Sequence, residues 1–326
     1  MMKWLGQQKL ITFQKSMLAM GTVINIQVVA YEEDRRAVLE DINRAFSIFY
    51  DIEHRFSRFR SDSEVMKLAN RSKQEVLVSE MLFDLTAYAL ELAELTNGKY
   101  DPTIGKIMEQ KGFDRLYTTG QTFSSHDVPH TAVHYRDVQL NETNRTIYLN
   151  KPLILDFGSI AKGFACDLAA KELEAWEGFM MNAGGDVLVS GFNEQQEEWT
   201  IGIRHPIHKQ TNISVIQTTN CAICTSGSYE RISRYDPHTH HLIHPQTKQS
   251  EQSLLSCTVI APLGMLADSL STAAFLLGRE EGYSFLAEHE IPAVMVDQTA
   301  DMIVTPEMKE VHSWNHNQHL SQTKHF

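Results

Sequence analysis

The spacing of apolar residues in the first seventy positions changes from alternation to a helical repeat. Alternating apolar residues over positions 22–29 predict a strand, and apolar residues three and four apart over positions 42–56 predict a helix. Ser61 and Glu64 have the spacing of a capping box, which predicts a short helix ending near Asn70. The chain therefore begins with both strand and helix.

A clearer helical pattern follows, with Ser79 as its predicted N-cap and Gly98 as its stop. Its apolar stripe consists of Leu82, Leu85, Ala89 and Leu92. Positions 132–140 and 146–149 flank a polar segment and predict a hairpin.

The second half of the chain contains more predicted strands than helices. Strands are predicted at positions 153–155, 179–182, 187–189, 199–203, 214–224, 257–260 and 293–296. Helical patterns follow position 160, continuing to about Trp176, and cover positions 263–277. Because crossover helices are too few for a doubly wound sheet, the pattern favours an α+β fold with mostly antiparallel sheet.

Composition limits the classes of ligand. The 326 residues are 42% hydrophobic, enough for a sizeable core, and 29 basic against 41 acidic residues give a formal charge of −12. A protein with this charge has no general electrostatic attraction for nucleic acid or an anionic membrane, so any anionic ligand must be held locally. No stretch approaches the roughly 20 apolar residues of a membrane helix, and no export signal is evident, so we expect a cytoplasmic protein without stable membrane insertion.

The four cysteines are too few for a disulfide framework in a chain of this length. Cys221 and Cys224 have C-x-x-C spacing, but they lie in a predicted extended run, where residues three apart face opposite sides. This favours buried small apolar residues over a metal or redox motif.

Two glycine-containing turns have the composition of phosphate sites. Positions 156–162 read as a strand end, a Gly-Ser turn and a helix start, which would direct backbone N–H groups outward and place Lys162 one turn inside the helix. Gly184 and Gly185 would permit close approach of a ligand to the backbone. An ordinary turn with a surface lysine and a plain hairpin turn are the respective alternatives.

A third candidate lies in the apolar helix at positions 263–277. Asp268 and Thr272 are four residues apart and share one helix face, where a carboxylate and a hydroxyl suit a hard divalent cation. An exposed polar stripe is the alternative, but the helix is apolar almost all round, and a buried carboxylate needs a partner.

Histidines form a fourth candidate. Positions 238–245 contain four histidines, and the pattern favours a general base over zinc, because no cysteine or acidic ligand is suitably spaced. The C-terminal tail carries His312, His316, His319 and His325, which we interpret as solvated side chains rather than a metal site.

Seven segments in order resemble the ApbE family, the FAD:protein FMN transferases. They are Met-Gly-Thr at 20–22, Phe-Ser-Arg-Phe at 56–59, Gly-Lys-Tyr-Asp-Pro-Thr-Ile-Gly at 98–105, Leu-Asp-Phe-Gly-Ser-Ile-Ala-Lys-Gly at 155–163, Asn-Ala-Gly-Gly-Asp at 182–186, Thr-Ser-Gly-Ser-Tyr-Glu-Arg at 225–231 and Ala-Asp-Ser-Leu-Ser-Thr-Ala at 267–273. The resemblance implies an α+β fold of two similar halves around FAD. We expect a single unit over positions 12–306, followed by a polar tail at 307–326.

The resemblance also implies roles for individual residues. The residues implied to lie along FAD are Met20, Phe59, Lys99, Tyr100, Asp101, Asp156, Lys162, Leu242 and Ile243. Mg²⁺ would be held by Asp268, Thr272 and the main-chain carbonyl of Ser159. His241 takes the place of the histidine in the family's H-x-x-D-P-x-T-G motif.

The implied reaction moves FMN from FAD to a Thr or Ser hydroxyl of an acceptor flavoprotein, and AMP leaves. His241 would accept the hydroxyl proton, while Mg²⁺ and Lys162 offset the pyrophosphate charge. The alternatives are an FAD pyrophosphatase that releases FMN and AMP, and a flavin-binding module without catalytic activity.

Two residues depart from that motif: His244 stands in place of Asp, and Lys248 in place of Gly. If His244 stood beside His241, it would only partly replace a carboxylate that orients the base. We therefore expect slow transfer, accelerated about tenfold by His244→Asp.

Overall fold

A long antiparallel sheet forms the centre of the protein. The structure, a computed structural model, describes residues 9–116, 120–125 and 132–311. The strands are β1 (Leu10–Ala19), β2 (Thr22–Tyr31), β3 (Glu75–Leu77), β4 (Val138–Asn141), β5 (Thr146–Leu149), β6 (Gly178–Ala183), β7 (Asp186–Gly191), β8 (Trp199–Arg204), β9 (Asn212–Thr218), β10 (Cys221–Gly227), β11 (Leu254–Ala261), β12 (Ala293–Asp297) and β13 (Met302–Val304). Eight of them pair in the order β1-β2-β6-β7-β10-β11-β12-β13. Neighbouring strands run antiparallel, which confirms the predicted α+β class.

Most of the α-helices contribute to the apolar core on one face of this sheet. The helices are α1 (Arg35–Phe56), α2 (Glu64–Ala69), α3 (Glu80–Leu95), α4 (Gly105–Gln110), α5 (Ala161–Ala170), α6 (Gly264–Leu277) and α7 (Arg279–Glu288). The largest apolar core unites this face with α1, α3, α5 and α6, and includes Phe49, Phe157 and Phe275. The β8–β9 hairpin closes a second core on the other face, where Trp199 and Ile216 pack against Val187. No helix in the described ranges is both long and apolar enough to cross a bilayer.

Several predicted elements are confirmed close to their expected ends. Ser79 caps α3 by accepting a hydrogen bond from the Leu82 amide at 3.2 Å, and α6 ends at Gly278, whose φ is 82°. The hairpin of β4 and β5 pairs antiparallel as predicted, but β4 begins at Val138 and not at position 132, because Tyr135–Asp137 form a 3-10 turn.

The capping box predicted for α2 is wrong by two residues. Ser63, not Ser61, accepts the amide hydrogen bond, from Met66 at 3.1 Å. Glu64 is already the first helical residue, and its carboxylate instead binds Arg55 at 2.9 Å and the Ser79 hydroxyl. The Ser61–Glu64 spacing was misleading because the Glu64 carboxylate makes these tertiary contacts and does not take part in a capping box.

Two predicted strands are also corrected. The run 214–224 is two strands, β9 and β10, because Asn220 turns the chain with a left-handed φ of 53°. Positions 153–155 form no ladder; Ile154 makes one isolated parallel bridge with Ile104. This bridge places positions 153–155 beside the segment that carries Tyr100 and Asp101, and it thereby positions Asp156 next to that segment.

Candidate active site

A cavity of about 650 Å³ opens where the ends of several elements meet. Its volume lies within the usual range for small-molecule sites, roughly 300–1,000 Å³. The predicted site residues in its wall are Met20, Phe59, Tyr100, Asp101, Asp156, Ser159, Lys162, His241, Leu242, Ile243, Asp268 and Thr272. The structure thus brings together residues that are spread over more than two hundred positions of sequence.

Lys99 is the predicted site residue that the structure does not bring to this wall. Its ammonium lies 2.7 Å from Glu281 Oε1, so it is paired with a residue of α7. Tyr100, the next residue, faces the cavity instead, and its hydroxyl accepts a hydrogen bond from Ser159 Oγ at 3.4 Å.

Lys162 lies between two carboxylates. Its Nζ is 3.0 Å from Asp268 Oδ2 and 3.1 Å from Asp186 Oδ2. Both carboxylates are buried, and each also accepts a backbone hydrogen bond, Asp268 from Gly163 at 3.2 Å and Asp186 from Thr225 at 3.3 Å. Burial alone would lower the pKa of Lys162, but the two carboxylates raise it above its usual value, so the ammonium stays charged.

Asp268 and Thr272 project from successive turns of α6 into the same part of the cavity. Burial raises the pKa of Asp268, while the adjacent Lys162 acts in the opposite direction. Thr272 Oγ1 lies 2.8 Å from Ser226 Oγ at the end of β10. The predicted alternative of an exposed polar stripe is therefore wrong.

The oxygen donors here fit a magnesium ion that shares its coordination with a substrate. Within the described ranges, no group of three or more His, Cys, Asp or Glu side chains could hold a metal alone. Asp268 and Thr272 offer hard oxygen donors, and a cationic ammonium already lies against Asp268. Mg²⁺ characteristically takes one or two carboxylates and completes its shell with water and substrate phosphates.

A buried arginine that sequence reasoning missed holds Asp156. Arg58 Nε lies 2.6 Å from Asp156 Oδ2, and a second guanidinium nitrogen of Arg58 donates to the Phe113 carbonyl. The guanidinium also lies over the Phe59 ring, 4.2 Å from its centroid. The signal was present in Phe-Ser-Arg-Phe, but the pairing spans 98 residues.

Asp101 has a structural hydrogen-bonding role in addition to its place in the cavity wall. Its carboxylate accepts hydrogen bonds from the Thr103 amide and hydroxyl, at 2.8 and 2.7 Å, and from the Tyr135 amide at 2.9 Å. Burial raises its pKa, and these donors oppose that rise. The side chain thus ties the segment that carries Tyr100 and Asp101 to the backbone at Tyr135.

His241 faces the cavity from the long connection between β10 and β11. Its amide donates to the Arg231 carbonyl at 3.1 Å, and its ring packs edge-on against Phe113 with centroids 6.5 Å apart. The buried Nδ1 has no hydrogen-bond partner among the residues that the structure describes. Burial, followed by the charges of Arg231 and its neighbours, lowers the pKa of His241 well below its usual value, so the ring is neutral at pH 7.

His244 does not take the place that the sequence led us to expect. Its Nδ1 accepts amide hydrogen bonds from Gln246 at 3.3 Å and Thr247 at 3.4 Å, and the residue lies outside the cavity wall. The ring therefore caps its own turn, as an aspartate can, instead of orienting His241. Lys248 completes the turn with a left-handed φ of 57°, which explains why glycine suits this position.

The other histidine and cysteine candidates give no metal centre in the described part of the chain. His240 is buried, with Nε2 2.7 Å from the Glu251 carbonyl oxygen and Nδ1 accepting from the Leu242 amide. All four cysteines are free thiols, and three of them are buried. The four tail histidines from His312 onward lie outside the described residues.

Comparisons with known proteins show the family to which the chain belongs. A family model described as the ApbE family matches residues 20–295. The FAD:protein FMN transferase of Vibrio cholerae is 27% identical over 296 residues, covering 86% of each chain, and that of Treponema pallidum is 28% identical over 307 residues, covering 87% of this chain and 83% of the relative.

Solved structures show the same fold. The crystal structure of the ApbE protein from Thermotoga maritima superimposes with a TM-score of 0.82 at 26% identity, covering 92% of this chain and 99% of that one. The flavin transferase ApbE from Vibrio cholerae gives a TM-score of 0.78 at 24% identity, covering 93% and 99%. With the family model matched over most of its length, the chain belongs to the ApbE family.

Proposed function

We propose that this protein transfers FMN from FAD to a Thr or Ser hydroxyl of an acceptor flavoprotein, with Mg²⁺ as cofactor and AMP as the leaving group. One observation carries the proposal: the Lys162–Asp268 pair and the His241 side chain lie in the wall of a single cavity. The relatives named FAD:protein FMN transferase support the choice of donor and of a protein acceptor.

The pyrophosphate of FAD would bind at the Lys162 end of this cavity. Mg²⁺ held by Asp268, Thr272 and the Ser159 carbonyl would neutralise charge on the phosphate oxygens. Lys162 adds an ammonium that Asp186 holds from the opposite side. A protein with net charge −12 needs such local cations to bind an anionic ligand.

His241 would act as general base on the acceptor. Because its ring is neutral at pH 7, one of its two nitrogens is unprotonated and can accept the hydroxyl proton as the hydroxyl oxygen bonds to the phosphorus of the FMN half. The bond between that phosphorus and the bridging oxygen breaks, and the oxygen leaves with AMP. One phosphoester bond is formed in this step and one phosphoanhydride bond is broken.

The free thiols fit a reducing compartment, so we place the reaction in the cytoplasm. The experiment is measurement of AMP release from FAD and Mg²⁺ with and without a candidate acceptor domain. Release that requires the acceptor supports transfer. Equal release without the acceptor indicates an FAD pyrophosphatase, and binding of FAD without any release indicates a flavin-binding module.

A further inference from the structure

The first turn of α6, the helix that carries Asp268 and Thr272, is capped by a residue of another helix. The residue preceding α6 is Leu263, which has no polar side chain to act as a cap. Instead, Asp167 of α5 accepts the Gly264 amide at 2.6 Å and the Met265 amide at 2.9 Å, one on each carboxylate oxygen. The start of α6 is therefore held by a carboxylate 97 residues earlier in the chain.

The backbones of the two helices touch at this point. A Cβ added to Gly163 would overlap the Gly264 carbonyl, and one added to Gly264 would lie 2.7 Å from the Gly163 carbonyl oxygen. Gly163 and Asp167 are four residues apart on α5, so they present the same face to α6. No side chain therefore separates the two helices where they cross. The hydrogen bonds of Asp167 fix which point of α6 contacts α5.

Two of the site residues lie within about one turn of this contact. Lys162 immediately precedes Gly163, and Asp268 follows Gly264 by four residues. Asp268 Oδ2 accepts the Gly163 amide at 3.2 Å, so the proposed metal ligand is bonded to the crossing itself. A shift of α6 along α5 would move Asp268 and Thr272 relative to Lys162.

We propose that Asp167 is a positioning residue for the divalent-cation site: by holding the first turn of α6 against α5, it sets where Asp268 and Thr272 stand. This inference rests on the proposed Mg²⁺ site. Mg²⁺ demands near-ideal octahedral geometry at about 2.0–2.1 Å, so small displacements of its ligands weaken binding. Residues that support metal ligands from behind typically change metal affinity by about 10- to 100-fold when they are replaced.

The test is calorimetric titration of the full chain with MgCl₂ alone, without FAD or acceptor. Asp167→Asn leaves one acceptor oxygen where two amides must be satisfied, and Gly163→Ala separates the helices while leaving Asp167 intact. Both should raise the Mg²⁺ dissociation constant about tenfold or more. Ser79→Ala, the control, removes the cap of α3 and should lower the unfolding midpoint by about 2 °C without changing that constant.

Parent-like Mg²⁺ affinity in Asp167→Asn, accompanied by a lower unfolding midpoint, would show that Asp167 only caps a helix. A parent protein that binds no Mg²⁺ in this titration, and none when the titration is repeated with saturating FAD, would overturn both the ligand set and the positioning role. Because no acceptor is present in either titration, a protein that fails to transfer flavin can still give the expected pattern. The positioning proposal and the proposed function therefore fail separately.

Discussion

The cavity has two walls of different construction. The carboxylate wall, formed by Lys162, Asp186, Asp268 and Thr272, is carried by helices and strands, and its side chains are bonded across elements. The histidine loop, residues 228–253, has only isolated bridges, such as that between Ile243 and Ser250. One wall is built on regular elements, and the other on an irregular connection whose residues Leu242 and Ile243 are buried in apolar clusters.

This difference matches the chemistry proposed for each wall. Phosphoryl transfer depends on positioning and charge neutralisation, which require groups held rigidly before the substrate arrives. An acceptor protein, in contrast, approaches from outside, and loops commonly carry such contacts. Charge neutralisation thus falls to the carboxylate wall and proton transfer to the histidine loop.

Removing the ligand from the carboxylate wall should have the largest effect. Asp268→Asn should lower Mg²⁺-dependent AMP release by about 10³-fold, equivalent to about 4 kcal/mol, because the cation loses its charged protein ligand. Steady-state assays over a range of Mg²⁺ concentrations measure this. Asp84→Asn, at an exposed carboxylate paired with Arg145, is the control. Equal Mg²⁺ dependence in Asp268→Asn and the parent would remove Asp268 from the metal site.

Removing the base from the histidine loop should cost somewhat less. His241→Ala should slow transfer by about 10²-fold or more. Burial lowers the pKa of His241, so the neutral, proton-accepting ring persists as pH falls below the usual histidine value. The part of the acid limb that comes from His241 should therefore lie below pH 6.5 and be lost in His241→Ala. Protonation of Asp268, whose pKa is raised by burial, should still lower the Mg²⁺-dependent rate at acid pH in that variant. A parent rate that halves at or above pH 7 would contradict this assignment.

Replacing the lysine should change two affinities in opposite directions. Lys162→Met should weaken FAD binding about tenfold, because the pyrophosphate loses a cation, and should strengthen Mg²⁺ binding, because Asp268 loses its competing ammonium. Separate titrations with FAD and MgCl₂ measure both effects. Lys209→Met changes an exposed lysine and should alter neither constant. Weaker Mg²⁺ binding in Lys162→Met would show that Lys162 supports the cation rather than competing with it.

The departure at His244 should have little kinetic effect. An aspartate can accept the same Gln246 and Thr247 amides, so His244→Asp should leave the transfer rate within about twofold of the parent. This replaces the tenfold gain expected from sequence alone. Acceleration near tenfold in a timed flavin-attachment assay would show that position 244 acts on His241 after all.

The smallest effect is expected at Lys248. Its left-handed φ of 57° disfavours a side chain, so Lys248→Gly should stabilise the fold by about 0.5 kcal/mol, the backbone relief being partly offset by the entropy of glycine. Chemical denaturation measures the change. A loss of about 1 kcal/mol would mean that the lysine side chain makes a stabilising contact.

Local patterns predicted the elements whose burial is regular. The stripes of α1, α3 and α6 contain enough apolar residues at helical spacing to locate these helices. Helix α7 was missed because Gly282 interrupts its pattern and few of its residues are buried. That glycine is needed there, since a Cβ at this position would overlap the Ala274 carbonyl.

The motifs located much of the site, but not how its charges pair. Lys162 and Asp268 are 106 residues apart, and Arg58 is 98 residues from Asp156, so no local spacing predicts either pair. Asp186 ends a motif that was recognised, yet its bond to Lys162 depends on the register of β7. Sequence likewise could not show that His244 binds its own turn, because the same residue type could equally have faced His241.

The central claim is that the carboxylate wall promotes cleavage of the FAD pyrophosphate while the histidine loop removes the proton from a protein hydroxyl, which is the acceptor. Intact-mass analysis of a candidate acceptor domain after incubation with the protein, FAD and MgCl₂ tests it most directly. The account predicts a mass increase equal to one esterified FMN, located on a Thr or Ser, and sharply reduced with Asp268→Asn or His241→Ala. Two results would contradict this claim. One is an acceptor mass increase with both variants as large as with the parent, and the other is AMP release by the parent with the acceptor mass unchanged.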